Sequence, residues 1–139
     1  MKTVKILIID DDADDVELFR DAVKEIDNKI VCMGATNGEE GFLMLKSGGL
    51  RPDYIFLDLN MPRLNGIQCL ELIKNEPFLR AIPVIIYTTS KLAADIDKTR
   101  EMGASYFISK PSRLQDLKHA ISDILHGKLW NRAIRSPLK

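Results

Sequence analysis

Five alternations of an apolar strand with an amphipathic helix predict a doubly wound α/β domain on a five-stranded parallel sheet. Two observations carry this expectation. The strand-length runs, among them Ile6-Leu-Ile-Ile9, Tyr54-Ile-Phe-Leu57 and Pro83-Val-Ile-Ile-Tyr87, are branched or aromatic and uncharged, as strands buried on both faces are. Between them, apolar residues recur at helical steps of three and four. Right-handed crossovers then place helices on both faces of one parallel sheet.

The elements follow in order. A first strand over residues 4–9 is ended by Asp10, Asp11 and Asp12. A helix over 14–26 turns Val16, Phe19, Val23 and Ile26 inward, with Asp14 and Asp15 suited to the positive end of its dipole. A short strand spans 30–33, and Asn37 caps a second helix with Phe42, Leu43 and Leu45 on its apolar face, stopped by Gly48-Gly49. The third strand, 54–57, ends at Asp58, and Pro62 and Gly66 mark the turn that follows. A third helix over 67–75 faces inward with Leu70, Ile73 and Cys69, and Pro77 closes it. The fourth strand starts at Pro83, where proline is tolerated, and ends in Thr88-Thr89-Ser90. Ser90 is the expected cap of a fourth helix over 91–102, which Gly103 stops. The fifth strand, 105–108, ends at Ser109-Lys110-Pro111, and Ser112 is the expected cap of a fifth helix with the stripe Leu114, Leu117, Ile121, Ile124 and Leu125.

A chain of 139 residues suits one domain with a full core, read as 1–125, followed by a tail over 126–139. Charged residues at 29% and hydrophobic ones at 45% describe an ordinary globular protein, and zero net charge argues against nonspecific nucleic-acid binding. Cys32 and Cys69 lack metal-ligand spacing and read as small buried residues. The run Ile6 to Ile9 is too short for a leader or a membrane span, so the expected compartment is the cytoplasm. The tail carries Leu129, Trp130 and Ile134 among basic residues, at a spacing that would extend the last helix or dock on the domain or a second copy.

The strand ends gather into one constellation. Strand one ends in Asp10 and Asp11, strand three in Asp58, strand four in Thr88 and strand five in Lys110. In a parallel sheet these groups share the carboxyl edge, where open α/β sheets bind ligands. Two like charges about 4 Å apart repel by about 1 kcal/mol in water and about 4 kcal/mol at an effective dielectric near 20, so a divalent cation is expected among the acids. Oxygen ligands without Cys or His select a hard ion, Mg²⁺ before Zn²⁺. A carboxylate nucleophile, a metal, an ammonium and a hydroxyl suit phosphoryl transfer. No glycine-rich phosphate loop is present, nor any Ser-His-Asp set; His119 and His126 fall in or after the last helix.

On these residues the chain resembles the response-regulator receiver domain, the CheY-like family. The Asp10-Asp11 pair, the stretch Asp58-Leu-Asn-Met-Pro-Arg-Leu-Asn-Gly66, Thr88 and Lys110-Pro111 match its motifs in order and spacing. Asp12 lengthens the acidic run, and the strand phase favours Asp10 and Asp11 as the pair. The resemblance covers residues 2–125 and implies a flavodoxin-like sheet ordered 2-1-3-4-5. It implies that Asp58 accepts a phosphoryl group from a histidine kinase or a histidine phosphotransfer protein. It implies Mg²⁺ held by Asp11, Asp10, Asp58 and the Asn60 carbonyl, with Lys110 on the phosphoryl oxygens. Thr88 and Phe107 would be the switch pair, and Asn60, Thr89 and Ser90 would tune the rates, self-catalysed dephosphorylation included. It also implies a commonly cis Lys110–Pro111 bond, and signalling through the fourth helix, fifth strand and fifth helix, with Lys91, Leu92, Asp95 and Ile96 as candidate contacts. Stand-alone receivers that partner bacterial phytochromes are similar in the acidic opening, the Thr-Thr-Ser run and the aromatic-bearing tail. A homodimer is compatible, and neither nucleic acid nor membrane is an expected partner.

Two rival readings exist. A receiver-fold scaffold that binds partners without phosphorylation draws on Thr89, a larger residue than the family usually has there. A phosphohydrolase of the haloacid-dehalogenase type expects a second Asp two residues after the nucleophile, where this chain has Asn60.

Overall fold

The computed structural model describes residues 3–47, 49 and 51–127. Its elements run β1 (Lys5–Ile9), α1 (Ala13–Ile26), β2 (Val31–Ala35), α2 (Gly38–Lys46), β3 (Tyr54–Leu57), α3 (Gly66–Asn75), β4 (Val84–Thr88), α4 (Ala93–Glu101), β5 (Tyr106–Ser109) and α5 (Leu114–Leu125). The five strands form one sheet in the order β2-β1-β3-β4-β5, every neighbouring pair parallel. Both the fold class and the strand order are those expected. In register, Ile9 lies opposite Ala35 and Leu57, Leu57 opposite Ile86, and Ile86 opposite Phe107. That alignment carries the polar residues after each strand to a common rim.

The continuous apolar runs have a simple cause: alternate residues feed two cores. Leu7, Ile9, Ile55, Leu57, Val84 and Ile86 pack with Leu45 of α2, Leu70 and Ile73 of α3 and Ile96 of α4. Ile6, Ile8, Phe56, Ile85 and Tyr87 pack with Phe19 and Val23 of α1 and Leu117, Ile121 and Ile124 of α5. The Phe19 ring centre sits 4.7 Å from that of Phe56 and 5.5 Å from that of Tyr87, both tilted, the preferred aromatic geometry. Each such buried side chain contributes about 1.5–3 kcal/mol by leaving water, which holds the strand ends in place.

Several local expectations are corrected. Helix α1 starts earlier because Asp12 is its cap: Asp12 Oδ1 accepts from the Asp14 and Asp15 N–H groups at 3.0 and 3.2 Å. Helix α3 opens at Gly66 under a capping box of Asn65 and Gln68, a signal present in the sequence that the apolar pattern does not reveal. Ser90 does not cap α4, which begins after Leu92 with no side-chain cap; the Ser90 hydroxyl donates instead to Asp95 Oδ2 at 2.6 Å. Nor does Ser112 cap α5, whose N-cap is Arg113. Leu43 is exposed, because one helical residue rotates about 100° away from the inward line of Phe42 and Leu45. Among the described residues no peptide bond is cis, so Lys110–Pro111 is trans; the Lys110 N–H donates to the Thr88 carbonyl at 2.8 Å and continues the β4–β5 ladder. Gly48 and the tail residues Leu129, Trp130 and Ile134 lie outside the described residues.

Candidate functional site

Strands β1 and β3 are neighbours whose crossovers leave toward opposite edges of the sheet, the switch point at which such sheets open a crevice. Asp10 and Asp58 stand on either side of it. The Asp10 N–H donates to the Ala35 carbonyl and the Asp58 N–H to the Ile9 carbonyl, both at 3.0 Å, so both backbones are held by the ladder.

Asp10 is fully buried. Its Oδ1 accepts from the Asp12 N–H at 3.0 Å, and its Oδ2 lies 2.8 Å from Lys110 Nζ without a hydrogen bond of good angle. Burial pushes the Asp10 carboxyl up to about 6; Lys110 and the Asp12 N–H oppose that rise, and the Asp58 charge adds to it. Asp58 is also buried; its Oδ1 faces the Asn60 N–H at 3.4 Å and its Oδ2 faces Lys110 Nζ at 3.6 Å. Asp11 is exposed on the rim.

Oxygens of Asp10, Asp11 and Asp58 all lie within 4.8 Å of one another. A buried anionic oxygen short of hydrogen bonds, next to two more carboxylates and no sulfur or imidazole, fits a hard divalent cation such as Mg²⁺. Asp12 is not part of this group, because its side chain is occupied in capping α1.

Lys110 is nearly enclosed and faces three carboxylates: Asp15 at 2.7 Å, Asp10 at 2.8 Å and Asp58 at 3.6 Å. Burial alone would lower its pKa, but the close carboxylates of Asp10 and Asp15 and the charge of Asp58 outweigh it, so the net shift is upward and the ammonium stays charged. Its Nζ also stands 5.4 Å from the centre of the Tyr87 ring. Thr88 is buried on β4, and its Oγ1 accepts from Asn60 Nδ2 at 3.3 Å and from the Ser90 N–H at 3.4 Å. Phe107 is buried in the same core as Ile86 and Ile96. Thr89, the residue after Thr88, is exposed, and Ser90 is half-buried.

The sequence profile of the response regulator receiver domain matches residues 6–122, and all of this site lies within it. The chain belongs to the response-regulator receiver family.

This receiver is 30% identical over 137 residues to the response regulator Rcp1 of Synechocystis sp. (strain ATCC 27184 / PCC 6803 / Kazusa), covering 95% of this chain and 92% of that one. It is 32% identical over 120 residues to the protein named "Probable C4-dicarboxylate response regulator DctR" of Bacillus subtilis (strain 168), covering 86% of this chain but 51% of that protein. The chain thus spans about half the length of that regulator, and 31% of a protein-glutamate methylesterase of Anaeromyxobacter dehalogenans that it also matches. Among solved structures, the phosphorylated cyanobacterial phytochrome response regulator RcpA superposes with a TM-score of 0.82 at 28% identity, covering 93% of this chain and 94% of that one. The Mn²⁺-bound form of Rcp1 superposes with a TM-score of 0.76 at 30% identity, covering 87% and 91%. The receiver is therefore similar to phytochrome response regulators, as the acidic opening and the Thr-Thr-Ser run imply.

The receiver's rim brings together Asp10, Asp11, Asp58, Asn60, Thr88 and Lys110, all expected there. It adds one residue that the sequence reading assigned only to the helix dipole: Asp15, whose carboxylate is the nearest partner of Lys110. The available signal was its position three residues after the Asp12 cap, in the first turn of a helix that leaves the rim. Of the candidate signalling residues, Lys91 and Leu92 are exposed and Asp95 is half-buried under Ser90, while Ile96 is buried in the core and is not a surface contact. His126 bonds Ser122 and lines a hollow with Tyr54 and Pro83, at the opposite end of the sheet from the rim. Among the described residues no helix is long and apolar enough to cross a membrane.

Proposed function

We propose that this receiver takes a phosphoryl group on Asp58 from a phosphohistidine of a histidine kinase or histidine phosphotransfer protein. The observation that carries the reading is the clustering of the Asp10, Asp11 and Asp58 oxygens within 4.8 Å beside Lys110, 3.6 Å from Asp58. An Asp58 carboxylate oxygen attacks phosphorus; a P–O bond forms, the P–N bond breaks, and its electron pair leaves on the imidazole, which takes up a proton. Asp10, Asp11, Asp58 and the Asn60 carbonyl would hold Mg²⁺, which would supply positive charge to the phosphoryl oxygens. Lys110 neutralises a second oxygen, as its enclosed, permanently charged ammonium suits.

The new group adds roughly −1.5 to −2 charge and fresh acceptors. Thr88 then turns its hydroxyl from Asn60 to the phosphoryl group, and the residues around Phe107 repack. Signalling passes through the face of α4, β5 and α5, where Leu92 is exposed, to a downstream protein in the cytoplasm or to a second copy. Water ends the signal by attacking phosphorus: a new P–O bond forms, the P–O bond to Asp58 breaks, and inorganic phosphate leaves with the carboxylate restored; Asn60, Thr89 and Ser90 flank that path. The test is acetyl phosphate, or beryllofluoride, with Mg²⁺, followed by intact-mass spectrometry. One adduct is expected on wild type and none on Asp58→Asn; an unmodified wild type, or an adduct that persists in Asp58→Asn, rejects the reading.

A further inference from the structure

Lys110 is held by more anions than phosphoryl chemistry requires. Its ammonium has three protons to give, and Asp15 and Asp10 stand closer to it than Asp58 does, at 2.7 and 2.8 Å against 3.6 Å. Asp10 is confined by the ladder and by complete burial. Asp15 is confined differently: the Asp12 cap fixes the first turn of α1, and Asp15 Oδ2 reaches from that turn across to the β5 end. The link joins residues 95 apart in sequence, one on α1 and the other at the loop that leads into α5. The Asp15 side chain is one-third exposed, so the charge sits at the mouth of the crevice, not in its floor.

We infer that Asp15 is a positioning residue for Lys110: it draws the ammonium toward α1 and away from Asp58, and so slows phosphoryl loading of Asp58. This rests on the phosphoacceptor reading above. While the hydrogen bond to Asp15 takes one N–H group and the Asp10 charge lies 2.8 Å away, an incoming phosphoryl group finds Lys110 partly committed. Removing the Asp15 charge releases one donor for the oxygens that gain charge in the transition state, where such a hydrogen bond counts most. A neutral amide of the same shape keeps the helix turn and ends the strong pairing. Asp15 itself touches neither phosphorus nor the attacking oxygen.

The experiment uses the full chain as wild type, Asp15→Asn and Asp15→Glu, with acetyl phosphate and Mg²⁺ as the probe. The rate of Asp58 loading is read by mass spectrometry, and each thermal midpoint is recorded. Asp15→Asn is expected to load about threefold to tenfold faster than wild type, the scale of a partly exposed ion pair. Asp15→Glu, which keeps the anion, is expected to stay within about twofold of wild type. A role confined to holding α1 would lower the midpoint and leave the rate alone. The gain in Asp15→Asn is expected to persist at about 0.5 M salt, where long-range repulsion of an anionic donor is screened and a contact hydrogen bond is not. A gain that vanishes in salt, an unchanged rate, or a Glu variant as fast as the Asn variant overturns the inference. Should Asp15→Asn not fold, Asp15→Ser carries the same test. A wild type that takes no adduct overturns the phosphoacceptor reading and this inference with it; a wild type that loads as fast as Asp15→Asn overturns the inference alone.

Discussion

Asn60 Nδ2 donates to Thr88 Oγ1 across 3.3 Å, joining the loop after β3 to the end of β4 directly beside Asp58. Thr88 is fully buried while Asn60 is exposed, so the bond ties an internal hydroxyl to a side chain that water can also serve. Thr88→Val preserves the volume and removes the hydroxyl. Because one partner is solvated, the expected loss of stability is at most about 1 kcal/mol by urea denaturation. Asp58 is still expected to take an adduct in this variant, but the change in amide hydrogen exchange at α4 and β5 on beryllofluoride addition is expected to shrink. An undiminished change would contradict the proposed switch role of Thr88.

Asp10 makes stability depend on pH. Its folded pKa of about 6 lies above the ordinary 3.8, so its stabilising contribution is fully present below 3.8 and is lost as pH rises through about 6. In metal-free buffer, Asp10→Asn is expected to be more stable than wild type at pH 8 by on the order of 1–3 kcal/mol, and to lose the part of the pH slope between 4 and 6 that Asp10 supplies. Added Mg²⁺ is expected to narrow the gap, because only wild type retains the third carboxylate. Denaturation curves at pH 5 and pH 8 decide this; equal slopes in both proteins would contradict it.

Gly66 lies against the backbone of Asp58. A Cβ there would collide with the Asp58 carbonyl oxygen and approach Leu59 Cα, and backbone atoms cannot swing aside as a side chain can. Gly66→Ala is expected to cost about 1–3 kcal/mol and to weaken Mg²⁺ binding together with stability. Calorimetric unfolding and a Mg²⁺ titration check the pairing. A loss of stability with unchanged Mg²⁺ affinity would show that the strain is absorbed by α3.

The thiols are expected to be inert. Burial pushes both Cys32 and Cys69 up to about 12, with Arg20 opposing the rise at Cys32. Such a thiol is ionised in only about one molecule in ten thousand at pH 8, so the native protein should react with Ellman's reagent far more slowly than free cysteine. Cys69, the fully buried one, should wait for unfolding. Rapid modification of Cys69 in the native state would mean that α3 opens locally.

Element type and order were legible because they depend on local pattern: a run such as Ile6 to Ile9 is apolar at every position only if both faces are covered, as the two cores show. The rim residues were legible for the same reason, since each stands where an apolar run stops. Helix starts were less so. Ser90 and Ser112 have the chemistry of caps, but a hydroxyl bonds whichever partner the packed structure brings nearest, and for Ser90 that is Asp95. Leu92 and Ile96 look alike in sequence, and packing buries one and exposes the other.

From residues alone came the alternating architecture, the shared edge and the presence there of Asp10, Asp11, Asp58, Thr88 and Lys110, because strand direction and chain polarity are local properties. Only the tertiary structure decided the division of Lys110 between a hydrogen bond to Asp15 and the nearby charges of Asp10 and Asp58. That division depends on tenths of an ångström between α1 and the end of β5, segments that no pattern along the chain relates and that meet only when both cores close.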